Sequence, residues 1–428
     1  MSKPMDRRHF VNSLVATSVT AHSWNHVRGS LARKPKVLLR SSWQTVNIGD
    51  IAHTPGVLAI LEKYLPEAEV QLWPMRVDNG VEEMLRKRFP SLAIVQGNDA
   101  VTRAMEVCDF LLHGSGPSLV AQRDIEKWSS ATGKPYGVYG ITFAAQESSA
   151  TRSTPNDALK KTLDVLSAAK FVFFRDSVSL ELAKRMGCVC PTMEFGPDGA
   201  FAVDLEDTAS AKEFIRSNQL DEGEFVCCIP RLRFTPYWTI PEKKVAKDES
   251  KHARNEAMKE QDCKPLRDAI LTVLENSKLK VLLCPEDRTQ MAVAKEMIYD
   301  ALPDSAKSRV VWRQQYWLTD EAISTYRMSA GLFGHEMHSP IMCIGNGVPA
   351  IVCRWAEQTS KGLMWRDIGL DGWLFDFDQE SERRKLAPAV LSMISDPADA
   401  KNQVLRAQKI VTDRQKATMQ ILKKSLMV

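Results

Sequence analysis

From about residue 34 onward, short apolar runs alternate with segments whose apolar residues recur at helical spacing, the pattern of a parallel sheet covered by helices. Lys36–Leu39 predicts a first strand, then a loop through Asn47, Gly49 and Asp50 and a helix from about Pro55 to Tyr64, with Val57, Leu58, Ile60 and Leu61 at core spacing. Further strands are predicted at Val70–Leu72, Phe110–Leu112, Tyr136–Tyr139 and Phe171–Phe174, separated by amphipathic stretches such as Val81–Arg88 and Leu159–Ala168. A second series opens with the continuous apolar run Phe225–Ile229, typical of a buried parallel strand. Strands follow at Lys280–Cys284, Val310–Trp312, Gly331–Phe333 and Ala350–Cys353, with helices near 263–276, 289–301, 320–328 and 340–346. The charged segment Glu242–Asp262 reads as a solvated loop plus exposed helix, an inert insertion rather than a lid.

The predicted fold is therefore α/β, with two Rossmann-like domains facing a cleft and a C-terminal amphipathic helix. The expected divisions are 34–205, 206–397 and 398–428. Ligands of such open sheets sit beyond the carboxyl ends of the strands. The last helix carries Val404, Leu405, Ile410, Val411, Ile421 and Leu422 on one period, with Lys and Arg around them, and is read as packed on the domain with its charges in water.

Residues 1–33 stand apart. Arg7-Arg8-His9-Phe10 precedes a weakly apolar stretch, so the segment is either a twin-arginine export signal or a tail. An exported protein would reach the periplasm; a tail leaves the chain cytoplasmic. No run reaches the roughly 18 apolar residues of a membrane span.

Composition narrows the chemistry little. Lys and Arg exceed Asp and Glu by 57 to 53 over 428 residues, which gives no electrostatic argument for nucleic acid. The nine cysteines contain no CxxC pair, so zinc and dithiol frameworks find no pattern. Oligomeric state leaves no signal.

Four stretches could carry chemistry. Asn47-Ile48-Gly49-Asp50 and His113-Gly114-Ser115-Gly116 are strand-end loops of small residues, suited either to anion contact through backbone N–H groups or to tight turning. Arg175-Asp176 follows an apolar strand; Arg175 suits a carboxylate or phosphate, while Asp176 is read as a helix cap. Gly334-His335-Glu336-Met337-His338 sits at a strand-to-helix junction, where a His serves as a proton donor near neutral pH. Two residues separate its histidines, against three in the zinc-protease pattern, so no metal is expected.

Together these stretches resemble the polysaccharide pyruvyl transferase family, whose members move a pyruvyl group from phosphoenolpyruvate to sugar hydroxyls, and the resemblance implies a GT-B-like pairing of the two Rossmann-like domains. The resemblance lies in Asn47-Ile48-Gly49-Asp50, Asp109–Gly116, Arg175-Asp176 with Ser179, Pro197-Asp198, Glu336-Met337-His338, Gly347-Val348-Pro349, Lys361 and Ile368-Gly369-Leu370. It implies His338 as general acid, Arg175 and Lys361 as holders of phosphate and carboxylate, and Asp50 as the carboxylate that orients or deprotonates the acceptor. Contact with the donor is assigned to Asn47, Gly49, Gly114, Ser115, Gly116, Glu336 and His335. The donor is a substrate, so no cofactor is expected, and the partner is a sugar or polysaccharide. Glu336 stands where the family usually has Arg; His335, Arg231 and Arg233 are the candidates to supply the missing cation. An exported non-catalytic glycan binder and a nucleotide-sugar glycosyltransferase remain the alternatives.

Overall fold

The computed structural model describes residues 33–144 and 157–427. The Arg7-Arg8 segment, leader or tail, lies outside them.

Seven parallel strands form the first sheet: β1 (Lys36–Ser41), β2 (Glu69–Pro74), β3 (Ala93–Ile94), β4 (Phe110–His113), β5 (Tyr136–Ile141), β6 (Val172–Phe174) and β7 (Met193–Phe195). Six more form the second: β8 (Phe225–Ile229), β9 (Lys280–Leu283), β10 (Val310–Trp312), β11 (Leu332–Gly334), β12 (Ala350–Arg354) and β13 (Leu374–Asp376). The spatial orders β3-β2-β1-β4-β5-β6-β7 and β10-β9-β8-β11-β12-β13 are one topology used twice. In each sheet the order reverses beside the first strand, between β1 and β4 and between β8 and β11, where a crevice opens at the carboxyl ends. Phe225, Val226, Cys227, Cys228 and Ile229 are all buried, as expected of a strand covered by helices on both faces.

Several expectations shift. The first helix runs Ile48–Tyr64 and so begins seven residues before Pro55, which lies inside it. Asn47 is what starts it early: its Oδ1 accepts from the N–H groups of Gly49 and Asp50. Gly56 lets this helix press on the turn after β7, since a Cβ there would lie 2.0 Å from the Gly199 carbonyl oxygen.

The charged segment is also more structured than its composition indicates. Most of it belongs to a 28-residue helix, Glu249–Asn276. Asp262 is buried in a two-pronged pair with Arg233, at 2.8 and 3.0 Å. The terminal helix Pro397–Leu426 spans both halves rather than one: Arg414 donates to the Phe195 carbonyl and pairs with Glu194, while Gln408 donates to the Gly345 carbonyl. Among the described residues no helix is long and apolar enough to cross a membrane.

Candidate active site

The site forms where the carboxyl-end loops of the two sheets meet. From the first half come the helix start after β1, the loop after β4, Arg175 after β6 and Asp198 after β7. From the second come Arg231 after β8, Glu286 after β9, His338 after β11 and Lys361 beyond β12.

On the front side, Arg175 is wholly buried. Its Nε donates to Thr142 Oγ1 at 2.7 Å and its Nη1 to Asp198 Oδ2 at 2.6 Å, while Nη2 has no partner among the described residues. Asp198 in turn meets His53 Nδ1 at 2.9 Å through Oδ1, which also accepts the Ala200 N–H. Burial pushes the Asp198 carboxyl up, but His53 and Arg175 outweigh it and hold it well below the usual range. An ionised Asp198 needs a donor from His53, so Nδ1 carries a proton. His53 Nε2 is buried without a partner.

On the rear side, His338 opens the helix His338–Gly345. Its Nδ1 meets Glu286 Oε1 at 3.2 Å, and Glu286 Oε2 accepts the Ser339 N–H at 2.6 Å. Glu336 Oε1 takes hydrogen bonds from Gln290 and pairs with Arg231 Nη1 at 3.0 Å. Two carboxylates thus occupy the positive end of this helix, which favours negative charge. Burial raises the acids of Glu286 and Glu336, and each is also the other's neighbour. Asp287 beside them is pushed up to about 6, first by burial and then by the Glu336 charge.

The halves meet at His338. Its ring stands edge-on to that of His53, centroids 4.8 Å apart at 82°, and its Nε2 lies 3.5 Å from Arg175 Nη1. Arg can only donate, which fits His338 with its proton on Nδ1 toward Glu286. Burial, reinforced by Lys361 and His53, drops the His338 pKa well below its ordinary value, so the imidazole is neutral. Lys361 is half-buried and its ammonium has no hydrogen-bond or ion-pair partner among the described residues; burial lowers its pKa while Glu336 and Glu286 oppose the shift. Asp50, also half-buried, is held by the Gln44 amide, which bonds Tyr237 of the rear half as well. Lys243, from the segment expected to be inert, reaches the same Gln44.

The structure thus brings together His338, Arg175, Lys361, Asp50 and Glu336, and sets other sequence candidates in supporting places. Gly49 is a close-approach glycine: a Cβ there would lie 2.5 Å from His338 Nδ1. The Gly49 and Asp50 N–H groups are spent on Asn47, and Ile48 N–H on the Glu286 carbonyl, so this helix start docks the lobes instead of presenting free donors. In the glycine loop, Gly114 N–H bonds Arg40 and Gly116 N–H bonds Gly140, while Ser115 Oγ receives the Gly199 N–H and meets His53 Nδ1 at 2.7 Å. His335 packs against Trp355 and Phe377, and burial lowers its pKa to about 3. Of the candidate replacement cations, Arg231 reaches Glu336, whereas Arg233 is tied to Asp262, Glu357 and Asp378. Asp176 caps the helix Ser177–Arg185 through the Ser179 N–H, as expected.

Sequence reasoning missed His53, Asp198 as a site residue, and Glu286. The signal for His53 was present: it falls three residues after Asp50, on the same helix face. Glu286 follows an unremarkable strand and carries none.

The sequence model described as polysaccharide pyruvyl transferase matches residues 47–357. The chain belongs to the polysaccharide pyruvyl transferase family. The matched span runs from the Asn47 cap to Glu357 and so includes both histidines and both arginines of the cluster; Lys361 falls just past its end. No curated protein matches the chain. Among solved structures, Anabaena HepE in complex with UDP and glucose has a TM-score of 0.54 at 11% identity, covering 92% of this chain and 99% of that one. UDP-GlcNAc 2-epimerase from Neisseria meningitidis bound to UDP-GlcNAc gives 0.53 at 11% identity, covering 91% and 100%. The S. aureus MnaA-UDP co-structure gives 0.52 at 10% identity, covering 88% and 92%. At such identity the likeness is one of fold, and it makes this family member a two-domain, GT-B-like α/β protein.

Proposed function

We propose that this chain transfers the pyruvyl group of phosphoenolpyruvate to a sugar as a ketal. The observation that supports it best is the meeting of the His338 imidazole from one lobe with the Arg175 guanidinium from the other, beside the unpartnered Lys361 ammonium.

The donor is a small polyanion, and three of this chain's cations suit it. Arg175 has Nη2 free for an oxygen, Lys361 offers a point charge, and Arg231 stands behind Glu336. A polyanion beside His338 reverses the balance that keeps the imidazole neutral, because added negative charge favours the protonated ring. His338 then carries N–H at Nε2, with ionised Glu286 stabilising the imidazolium through Nδ1.

In the first step the Nε2 proton passes to the methylene carbon, and a sugar hydroxyl forms a C–O bond at the neighbouring carbon as its own proton is released. In the second, another hydroxyl attacks that carbon, the bond to phosphate breaks, and phosphate leaves with the second proton. One proton ends on the methyl group and one on phosphate, so the two hydroxyl hydrogens are accounted for. Asp50, on the partly open edge, receives the acceptor hydroxyl.

On this reading the reaction runs in the cytoplasm, where phosphoenolpyruvate is made. The test is acceptor-dependent phosphate release from phosphoenolpyruvate across candidate sugars. A melting point raised by nucleotide sugars but not by phosphoenolpyruvate would instead favour a glycosyltransferase.

A further inference from the structure

We propose that Asp50, His53 and His338 form a binding site for a borderline divalent transition metal such as Zn2+ in the donor-free protein. One ligand-capable atom of each of the three lies within 4.8 Å of the others. Two imidazoles and a carboxylate are a donor set that suits zinc and its neighbours.

The surroundings resemble those of ligating histidines more closely than the spacing alone does. A metal-bound His ordinarily gives its other ring N–H to a carboxylate, which fixes the tautomer and turns the remaining lone pair to the ion. Both rings here do so: His53 Nδ1 lies 2.9 Å from Asp198 Oδ1, and His338 Nδ1 lies 3.2 Å from Glu286 Oε1. That leaves Nε2 on each as the atom to offer. His53 is wholly buried, and its Nε2 has no hydrogen-bond partner among the described residues. Asp50 and His53 come from one face of the first helix, and His338 closes the set from the other lobe.

Tetrahedral zinc, with ligands at about 2.0–2.2 Å, holds them roughly 3.3 Å apart, so the three side chains draw together on binding. The charges facing the site are Asp198, Glu286 and Glu336 against Arg175, Lys361 and Arg231, and Arg175 Nη1, 3.5 Å from His338 Nε2, is a cation the ion has to sit beside. The fourth position stays open to water. A bound ion takes the lone pair that His338 needs in order to accept a proton, so metal and donor exclude each other. That consequence rests on the proposed transfer; the binding itself does not.

The test is calorimetric titration of the full chain with Zn2+ alone, without phosphoenolpyruvate, supported by the visible absorption of a Co2+ complex. One ion per chain is expected, with affinity weakened at least about tenfold in both Asp50→Asn and His53→Gln. Asp50 is half-buried, so its variant keeps the test meaningful where the buried His53 change perturbs folding; melting points of the metal-free variants report that. Undiminished Zn2+ affinity in Asp50→Asn, or no binding by the wild type, overturns the proposal. Zn2+ binding by a chain that never releases phosphate from phosphoenolpyruvate leaves the metal site standing and removes the transfer reading.

Discussion

Arg175 Nη1 and His338 Nε2 lie 3.5 Å apart although 163 positions separate them in the chain. Each comes from the carboxyl end of a strand, β6 in one sheet and β11 in the other, and each is fixed from behind by a buried carboxylate: Asp198 for Arg175, Glu286 for His338. The contact therefore depends on both lobes, which is what a reaction joining a polyanion to a general acid requires.

His338→Ala is expected to lower kcat for phosphate release by about 10²-fold or more, the usual worth of a positioned general acid. Circular dichroism should stay native-like and the melting transition should fall only modestly, since the ring is buried but Glu286 keeps the Ser339 N–H when it is lost. A variant that turns over normally removes the acid assignment.

Arg175→Ala breaks a fully buried ion pair and leaves Asp198 charged without its guanidinium. Loss of one buried partner costs about 3–5 kcal/mol, so urea unfolding should shift markedly. Arg175→Lys keeps the charge and loses the fork; it should retain more stability and show a raised KM for phosphoenolpyruvate.

Glu336→Gln keeps an oxygen for the Gln290 amide but removes a negative charge beside Arg231 and Lys361. KM for phosphoenolpyruvate should fall by about tenfold, corresponding to ~1.4 kcal/mol. An unchanged or higher KM would mean that Glu336 serves the donor site in another way.

Stability should fall on acidification. His113 and His335 are each held by burial at about 3, and His338 is also lowered, so below the ordinary histidine value of 6.5 the unfolded chain binds protons that the folded chain does not. Glu286, Glu336 and Asp287 act oppositely: their raised pKa values mean that the folded chain holds protons that the unfolded one has lost, which costs stability as pH rises above their ordinary values. Melting temperatures across about pH 7 to 5 should therefore drop, with a shallower drop in His335→Phe. An equal drop in both proteins would contradict the assignment for His335.

Much of this was legible in the sequence for a physical reason. Strands such as Phe225–Ile229 and Tyr136–Ile141 are buried on both faces and announce themselves as unbroken apolar runs. Arg175 and His338 follow strands, so position put them near the crevice, whereas Lys361 was named through the family resemblance. Glu286 was not picked out as a site residue, because its role depends on His338, far away in the chain, and Arg231 was named only as one of three candidate cations. The Asn47 cap was misread as loop because Pro55 is a strong helix-start signal, and here local capping outweighed it. Asp262 was read as solvated because its neighbours are charged; its partner Arg233 lies 29 residues upstream.

The most direct measurement is phosphate released from phosphoenolpyruvate by the full chain, with and without a panel of sugars and in the presence of a chelator. The account predicts release that needs a sugar, leaves a pyruvyl ketal on it in equal amount, and disappears in His338→Ala. Release that ignores both sugar and His338, or none with any sugar alongside stabilisation by a nucleotide sugar, would contradict it.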